Sequence, residues 1–313
     1  MESLMNYDLI GDIHGHARTL AALLEKLGYT QRAGIYQHAE RQVVFLGDFI
    51  DRGPHQRETL EIVRPMIEQG HALSVMGNHE FNAVAYATPL DEGSHLRTHD
   101  SNNKKQHAAF LAEYPADSPD YLDMIDWFRT LPMWLDLGDM RVVHACWDKD
   151  IIASLTKHHE GPRLTNTLLR HASTKDRQEY DQVETLLKGK EIPLPGDCSY
   201  LDSYDKKRRH MRIRWWDRTS TTYRGKFLGM LEWQKHIPDD EIKGDHGVSY
   251  GHHEPPVFLG HYWQSGTPAP LESNVACLDY SVAKPGGKLV AYRWNGTANL
   301  HADAFVWVDR VEP

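Results

Sequence analysis

Along the chain, short apolar runs cut off by glycine alternate with longer amphipathic stretches. Val43 to Leu46 reads as a buried strand, because a short apolar run bounded by turn residues suits a strand covered on both faces. Tyr7 to Ile10 and Ala72 to Met76 read the same way. Between them, Ala17 to Leu27 places Leu20, Leu23, Leu24 and Leu27 at helical spacing, with Gly28 as the stop. Gln56 to Gln69 gives a helix with Leu60, Val63 and Ile67 inward, and Pro65 predicts a kink or break within it. His79 to Ala87 predicts a third helix, with Phe81, Val84 and Ala85 inward. The βαβαβ order implies parallel strands with right-handed crossovers.

Residues 88–120 are polar, hold Pro89, Pro115 and Pro119, and read as an insertion with one helix from Lys104 to Tyr114. Tyr121 to Arg129 is a further helical piece. Met133 to Leu137 and Met140 to His144 flank Gly138-Asp139 as a hairpin. Residues 150–209 are charged and low in strand character. Ile151 to Lys157, Leu164 to His171 and Gln178 to Lys188 predict a helical cap there that shapes access to a site. Met211 to Asp217 alternates as a strand leading to the core, and residues 247–256 form a loop before a strand at Val257 to Tyr262. Asn274 to Leu278 and Lys288 to Trp294, joined by a turn at 284–287, are expected to extend a second sheet. The expected fold class is α/β: a β-sandwich flanked by helices, one domain over residues 1–313 with a helical insertion at 150–209.

Composition narrows the class. The 40% of hydrophobic residues support a sizeable core. No apolar run approaches the roughly 20 residues that span a bilayer. The first residues lack a basic segment followed by an apolar one, so neither a signal peptide nor membrane association is expected. A net charge of −9 argues against general nucleic-acid binding. Cys146, Cys198 and Cys277 are odd in number and far apart, which predicts free thiols and a cytoplasmic location. The run Lys206 to Arg209 reads either as a solvated face or as steering for an anionic substrate.

The candidate chemistry sits where the apolar runs stop. Gly11 is followed by Asp12 and His14, Gly47 by Asp48, Asp51 and Arg52, and Gly77 by Asn78, His79 and Glu80. His144 and His261 also end apolar runs. His252 and His253 rival His261 but have no strand before them. Carboxylate, amide oxygen and imidazole together suit borderline divalent ions such as Mn, Fe or Zn, and the 20 histidines fit a metal enzyme.

Gly11 to Gly15, Gly47 to Gly53 and Gly77 to Glu80 resemble the three signature blocks of the calcineurin-like metallophosphoesterases. The Asp51-Arg52-Gly53 and His79-Glu80 variants resemble its phosphoprotein phosphatase group, which includes symmetrical dinucleoside tetraphosphate hydrolases. The resemblance implies two divalent ions, Mn foremost and Fe, Zn, Ni or Co as alternatives. Asp48 and a water would bridge them, with Asp12 and His14 completing one site and Asn78, His144 and His261 the other. The shared water would attack phosphorus in line. Arg52 would hold phosphate oxygens as a fork, and His79, oriented by Asp51, would protonate the leaving group. Asp245 to Tyr250 resembles a family segment with a phosphate-binding arginine, and His246 stands in its place as a candidate substrate contact beside Asn78.

Three functions follow. The foremost is hydrolysis of phosphate monoesters on phosphoprotein-type substrates. The alternative is symmetrical hydrolysis of dinucleoside polyphosphates, and the third is a scaffold without activity. Trp215, Trp216, Tyr262 and Trp263 are available either as a platform for a nucleobase or as core.

Overall fold

Three of the predicted strands lie side by side. Asn6–Ile10, Arg41–Phe45 and Ala72–Ser74 are parallel neighbours, with Leu9 opposite Val44 and Val44 opposite Leu73. This computed structural model describes residues 6–90, 93–201, 206–244 and 246–311. On its other side, Asn6–Ile10 pairs antiparallel with Lys288–Trp294, which also pairs with Asp279–Tyr280 and Phe305–Asp309 to complete a six-stranded sheet. A second sheet has four strands, in the order Val275–Cys277, Val257–Leu259, Arg141–Val143 and Trp134–Asp136.

Strand alternation shows how the sheets meet, since successive side chains point to opposite faces. Leu9 and Val44 of the first sheet join Val142, Phe258 and Ala276 of the second in one apolar cluster. Their neighbours Ile10, Phe45, Val143 and Leu259 join a second cluster, which includes Leu20 and Leu24 of the helix Ala17–Lys26 and Leu60 and Val63 of the helix Gln56–Glu68. The result is a two-sheet sandwich with helices outside. The sheet is tied at one end by buried Asp8, which accepts from Tyr29 Oη at 3.1 Å, Arg41 Nε at 2.9 Å and Arg293 Nε at 3.1 Å.

Several elements differ from the sequence reading. Val275–Cys277 lies in the second sheet, but Lys288–Trp294 belongs to the first, in contact with the amino-terminal strand. The helix Gln56–Glu68 continues through Pro65 to its last turn. There the carbonyl that loses its partner is that of Glu61, an exposed residue, so water can satisfy it. The single helix expected at 104–114 is two, Ser101–Gln106 and Ala108–Glu113, broken at His107. Met211 to Asp217 does not enter the core sheets. Only His210–Arg212 is a strand, and it pairs antiparallel with Glu191–Pro193.

In the segment 150–209 the helices are Lys149–His158, Asn166–Ala172 and Gln178–Lys188. They border a cavity of about 760 Å³ lined in part by His159, His171 and Glu179. Lys206 to Arg209 are exposed, and all three cysteines are free thiols. Among the described residues no helix is long and apolar enough to cross a membrane.

Candidate metal centre

The site is built from turns that follow the core strands, at the sheet edge where open α/β folds place ligands. Among the described residues, seven of the ten non-glycine residues with positive φ belong to these turns and their neighbours: His14, Asp48, Asp51, Arg52, His261, Trp263 and Ser281. Such backbone is costly for side chains with a Cβ and persists only where the surroundings enforce it. Glu80, fully buried, does part of that work. Its Oε2 accepts from the Asp48 and Gly77 N–H groups at 2.8 and 3.0 Å, and its Oε1 accepts from Phe49 N–H at 2.8 Å. The glycines before Asn78 and His261 have a steric cause. A Cβ at Gly77 would overlap the Asp48 carboxylate, and one at Gly260 would overlap that of Asp12.

Three imidazoles face one carboxylate oxygen. Asp48 Oδ2 lies 3.3 Å from His144 Nε2, 3.7 Å from His14 Nε2 and 3.9 Å from His79 Nε2. Two overlapping groups offer ligand atoms within 4.8 Å of one another: His14, Asp48 and His79, and Asp48, His144 and His261. Asn78 Oδ1 joins the second, 3.2 Å from His144 Nε2 and 2.8 Å from His261 Nδ1. The Asp12 carboxylate accepts from His261 N–H at 3.1 Å.

The donor set fits a cation. His14 donates from Nδ1 to Ile50 O at 2.9 Å, and His144 from Nδ1 to Leu46 O at 2.7 Å, so each has its lone pair at Nε2 when neutral. His14 Nε2 is buried and has no hydrogen-bond partner. Burial, then the charge of His79, pulls the His14 pKa down to about 3, which leaves a neutral ligand. Burial also opposes charge on His144, but Asp48 overrides it and pushes the pKa up to about 10. Burial likewise works against the Asp48 carboxylate, yet His144, His79 and His14 hold its pKa well below the usual range. The pocket therefore demands positive charge beside Asp48. His261 differs in tautomer: Arg212 donates to its Nε2 at 3.2 Å, so the ring proton sits on Nδ1, facing Asn78. Ligation through Nδ1 would move that proton to Nε2 and turn Arg212 aside.

Beside this cluster stands an acid–imidazole pair. His79 Nδ1 lies 2.6 Å from Asp51 Oδ2, and His107 Nδ1 lies 3.0 Å from Asp51 Oδ1. Burial raises the Asp51 pKa, but hydrogen bonds from His107 and His79 outweigh it and bring it to about 2. For His79, burial favours the neutral ring, and Asp48 and Asp51 outweigh it to raise the pKa. Gln56 holds the turn, accepting from Asp51 N–H at 2.7 Å and donating to Gly53 O at 2.7 Å.

The structure thus brings together Asp12, His14, Asp48, Asp51, Asn78, His79, His144 and His261. Arg52 is exposed at their rim, with its guanidinium carbon 4.6 Å from the Trp263 ring centroid. His252 and His253 are exposed on the preceding loop. No hydrogen bond or ion pair among the described residues joins His246 to the cluster, and Asp245 lies outside the described residues. Trp215, Trp216 and Tyr262 are buried, and Trp263 is 46% exposed. Sequence reasoning missed the parts played by Glu80, His107, Gln56 and Arg212.

A family model described as calcineurin-like phosphoesterase matches residues 5–283. The asymmetrical bis(5'-nucleosyl)-tetraphosphatase PrpE of Bacillus subtilis (strain 168) is 33% identical over 158 residues, 49% of this chain and 62% of that relative. Its namesake in Halalkalibacterium halodurans is 43% identical over 76 residues, 24% of this chain and 31% of the relative. The chain therefore spans less than two thirds of the length of these curated relatives. A protein serine/threonine phosphatase from Saccharomyces cerevisiae superposes with a TM-score of 0.53 at 15% identity, over 99% of this chain and 81% of that one, a likeness of fold alone.

Proposed function

The chain belongs to the calcineurin-like phosphoesterase family, and from that premise we propose that it hydrolyses dinucleoside tetraphosphates with two divalent ions bound around Asp48. The relatives named as tetraphosphatases support this substrate over a phosphoprotein. The order of the two sequence-based readings is accordingly reversed. Those relatives are named asymmetrical, so the expected products are a nucleoside triphosphate and a nucleoside monophosphate rather than two diphosphates.

The observation that carries the chemistry is the convergence of His14, His79 and His144 on Asp48 Oδ2, with His14 Nε2 buried and unpartnered. Asp12, His14 and Asp48 would hold one ion, and Asp48, Asn78, His144 and His261 the other. Bound there, the ions supply a water of lowered pKa and offset the charge of the phosphoryl oxygens. Arg52, exposed at the rim, forks onto phosphate oxygens and orients the group for in-line attack. His79 gives its Nε2 proton to the leaving oxygen, while Asp51 fixes the ring through Nδ1. A leaving nucleotide is a better leaving group than an alkoxide, so His79 matters less for this substrate than for a phosphoserine. Manganese is the first ion to try. Incubation of the Mn-loaded protein with diadenosine tetraphosphate should release ATP and AMP, separable by ion-exchange chromatography. Release of two ADP would overturn the asymmetrical mode, and no nucleotide product would overturn the reading.

A further inference from the structure

Two cations meet over one indole at the rim of the metal centre. Trp263 follows His261 by two residues and is 46% exposed. Arg52 stands with its guanidinium carbon 4.6 Å from the ring centroid, and Lys284 with Nζ 3.8 Å from it. These residues come from three separate turns, and one buried carboxylate fixes two of them. Asp279 Oδ2 accepts from Trp263 N–H at 3.1 Å and Asp279 Oδ1 from Ser281 N–H at 2.9 Å. Ser281 O in turn accepts from Lys284 N–H at 2.8 Å. Trp263 and Ser281 both carry positive φ, at 28° and 60°. The backbone is thus forced into costly conformations to set Trp263 and Lys284 in place.

We propose that Lys284, together with Arg52 on the Trp263 ring, forms a binding subsite for a phosphate group adjacent to the one attacked. The proposal rests on the polyphosphate reading above and names the residue that makes it selective. Each cation gains from the indole face, but two like charges held together repel, and an anion relieves that repulsion. Among the described residues no hydrogen bond or ion pair joins either the Arg52 guanidinium or the Lys284 ammonium to a carboxylate. Burial, with the charge of Arg52, works against charge on Lys284 more than Asp279 favours it, so its pKa is lowered, and each Asp279 oxygen is already engaged by a backbone N–H. A single phosphate at the metal centre is served by Arg52. A second fixed cation over the same ring can reach the next phosphate of a polyphosphate, and an ammonium suits it as a compact point charge.

The test measures calorimetric binding of a methylene-bridged, hydrolysis-resistant diadenosine tetraphosphate to Mn-loaded wild type, Lys284→Met and Lys284→Arg. It is read with kcat/KM for diadenosine tetraphosphate and for p-nitrophenyl phosphate. Loss of a charge-assisted phosphate contact should raise the Kd of Lys284→Met by about 10-fold or more. Its loss in kcat/KM should be at least tenfold greater on the dinucleotide than on the monoester, and Lys284→Arg should recover most of both. Equal Kd in wild type and Lys284→Met, or equal losses on the two substrates, would overturn the subsite. Failure of the functional reading looks different: wild type would not cleave the dinucleotide, while the Kd comparison would still report on Lys284.

Discussion

Asp48 serves three ends at once: its carboxylate faces three imidazoles, its backbone is held by Glu80, and its own Oδ1 accepts from His79 N–H at 2.9 Å. Asp48→Asn keeps the shape and removes the charge, so the purified variant should lose at least one of the two proposed ions by elemental analysis. Two ions per chain at wild-type affinity would reject the assignment. His79 should behave differently. His79→Asn should keep both ions and lower kcat on an alkyl phosphate by a factor of about 10²–10⁴, the usual worth of a general acid. The loss should shrink on p-nitrophenyl phosphate, whose leaving group needs no proton, and an equal loss on both would exclude proton donation. At this scale the candidate ligands were legible because each stands at the end of an apolar run, Asp12, Asp48, Asn78 and His261 directly after a glycine and His144 directly after Val143. His107 was not, since its bond to Asp51 spans 56 positions and leaves no local pattern. Glu80 was visible as part of a motif, but its hold on the Asp48 turn exists only once the two strands are parallel neighbours.

At the scale of elements, apolar periodicity recovered most strands and helices of the core, and it failed where partners had to be chosen. Lys288–Trp294 reads as a strand from its own residues, yet nothing in it names the amino-terminal strand as its neighbour. The helix break at His107 has no helix-breaking residue type behind it, and His107, the boundary of both helices, bonds Asp51 instead. The Asp8 cluster carries a stability prediction. Arg41 donates to Asp8 and also to the Tyr7 and Trp294 carbonyls, so it ties three strands together. Removing the carboxylate leaves the half-buried Arg41 guanidinium without its charge partner and the buried Tyr29 hydroxyl without its acceptor. Asp8→Ala should lower unfolding stability in urea by about 3 kcal/mol; a change below about 0.5 kcal/mol would show that the cluster is decoration.

For the whole molecule, the net charge of −9 contrasts with a rim that holds Arg52 and Lys284 as paired cations, so positive charge is concentrated where substrate would enter. The centre itself gathers acids. Burial, and then the charges of Asp279 and Asp48, push the Asp12 carboxyl well above its usual range, and a cation bound beside it would favour the ionised form. Ions that bind only the folded state stabilise it by mass action, about 2.7 kcal/mol at a hundred times Kd. Mn at that excess should raise the thermal midpoint by a few degrees over chelator-treated protein, with the gain reduced in Asp48→Asn; an unchanged midpoint in the wild type would count against the centre. The substrate class is decided by kcat/KM of the Mn-loaded chain on diadenosine tetraphosphate and on a phosphoserine peptide, measured side by side. A dinucleoside tetraphosphatase should prefer the dinucleotide by about 100-fold or more, roughly 2.7 kcal/mol of transition-state discrimination; equal values, or a preference for the peptide, would overturn that substrate assignment.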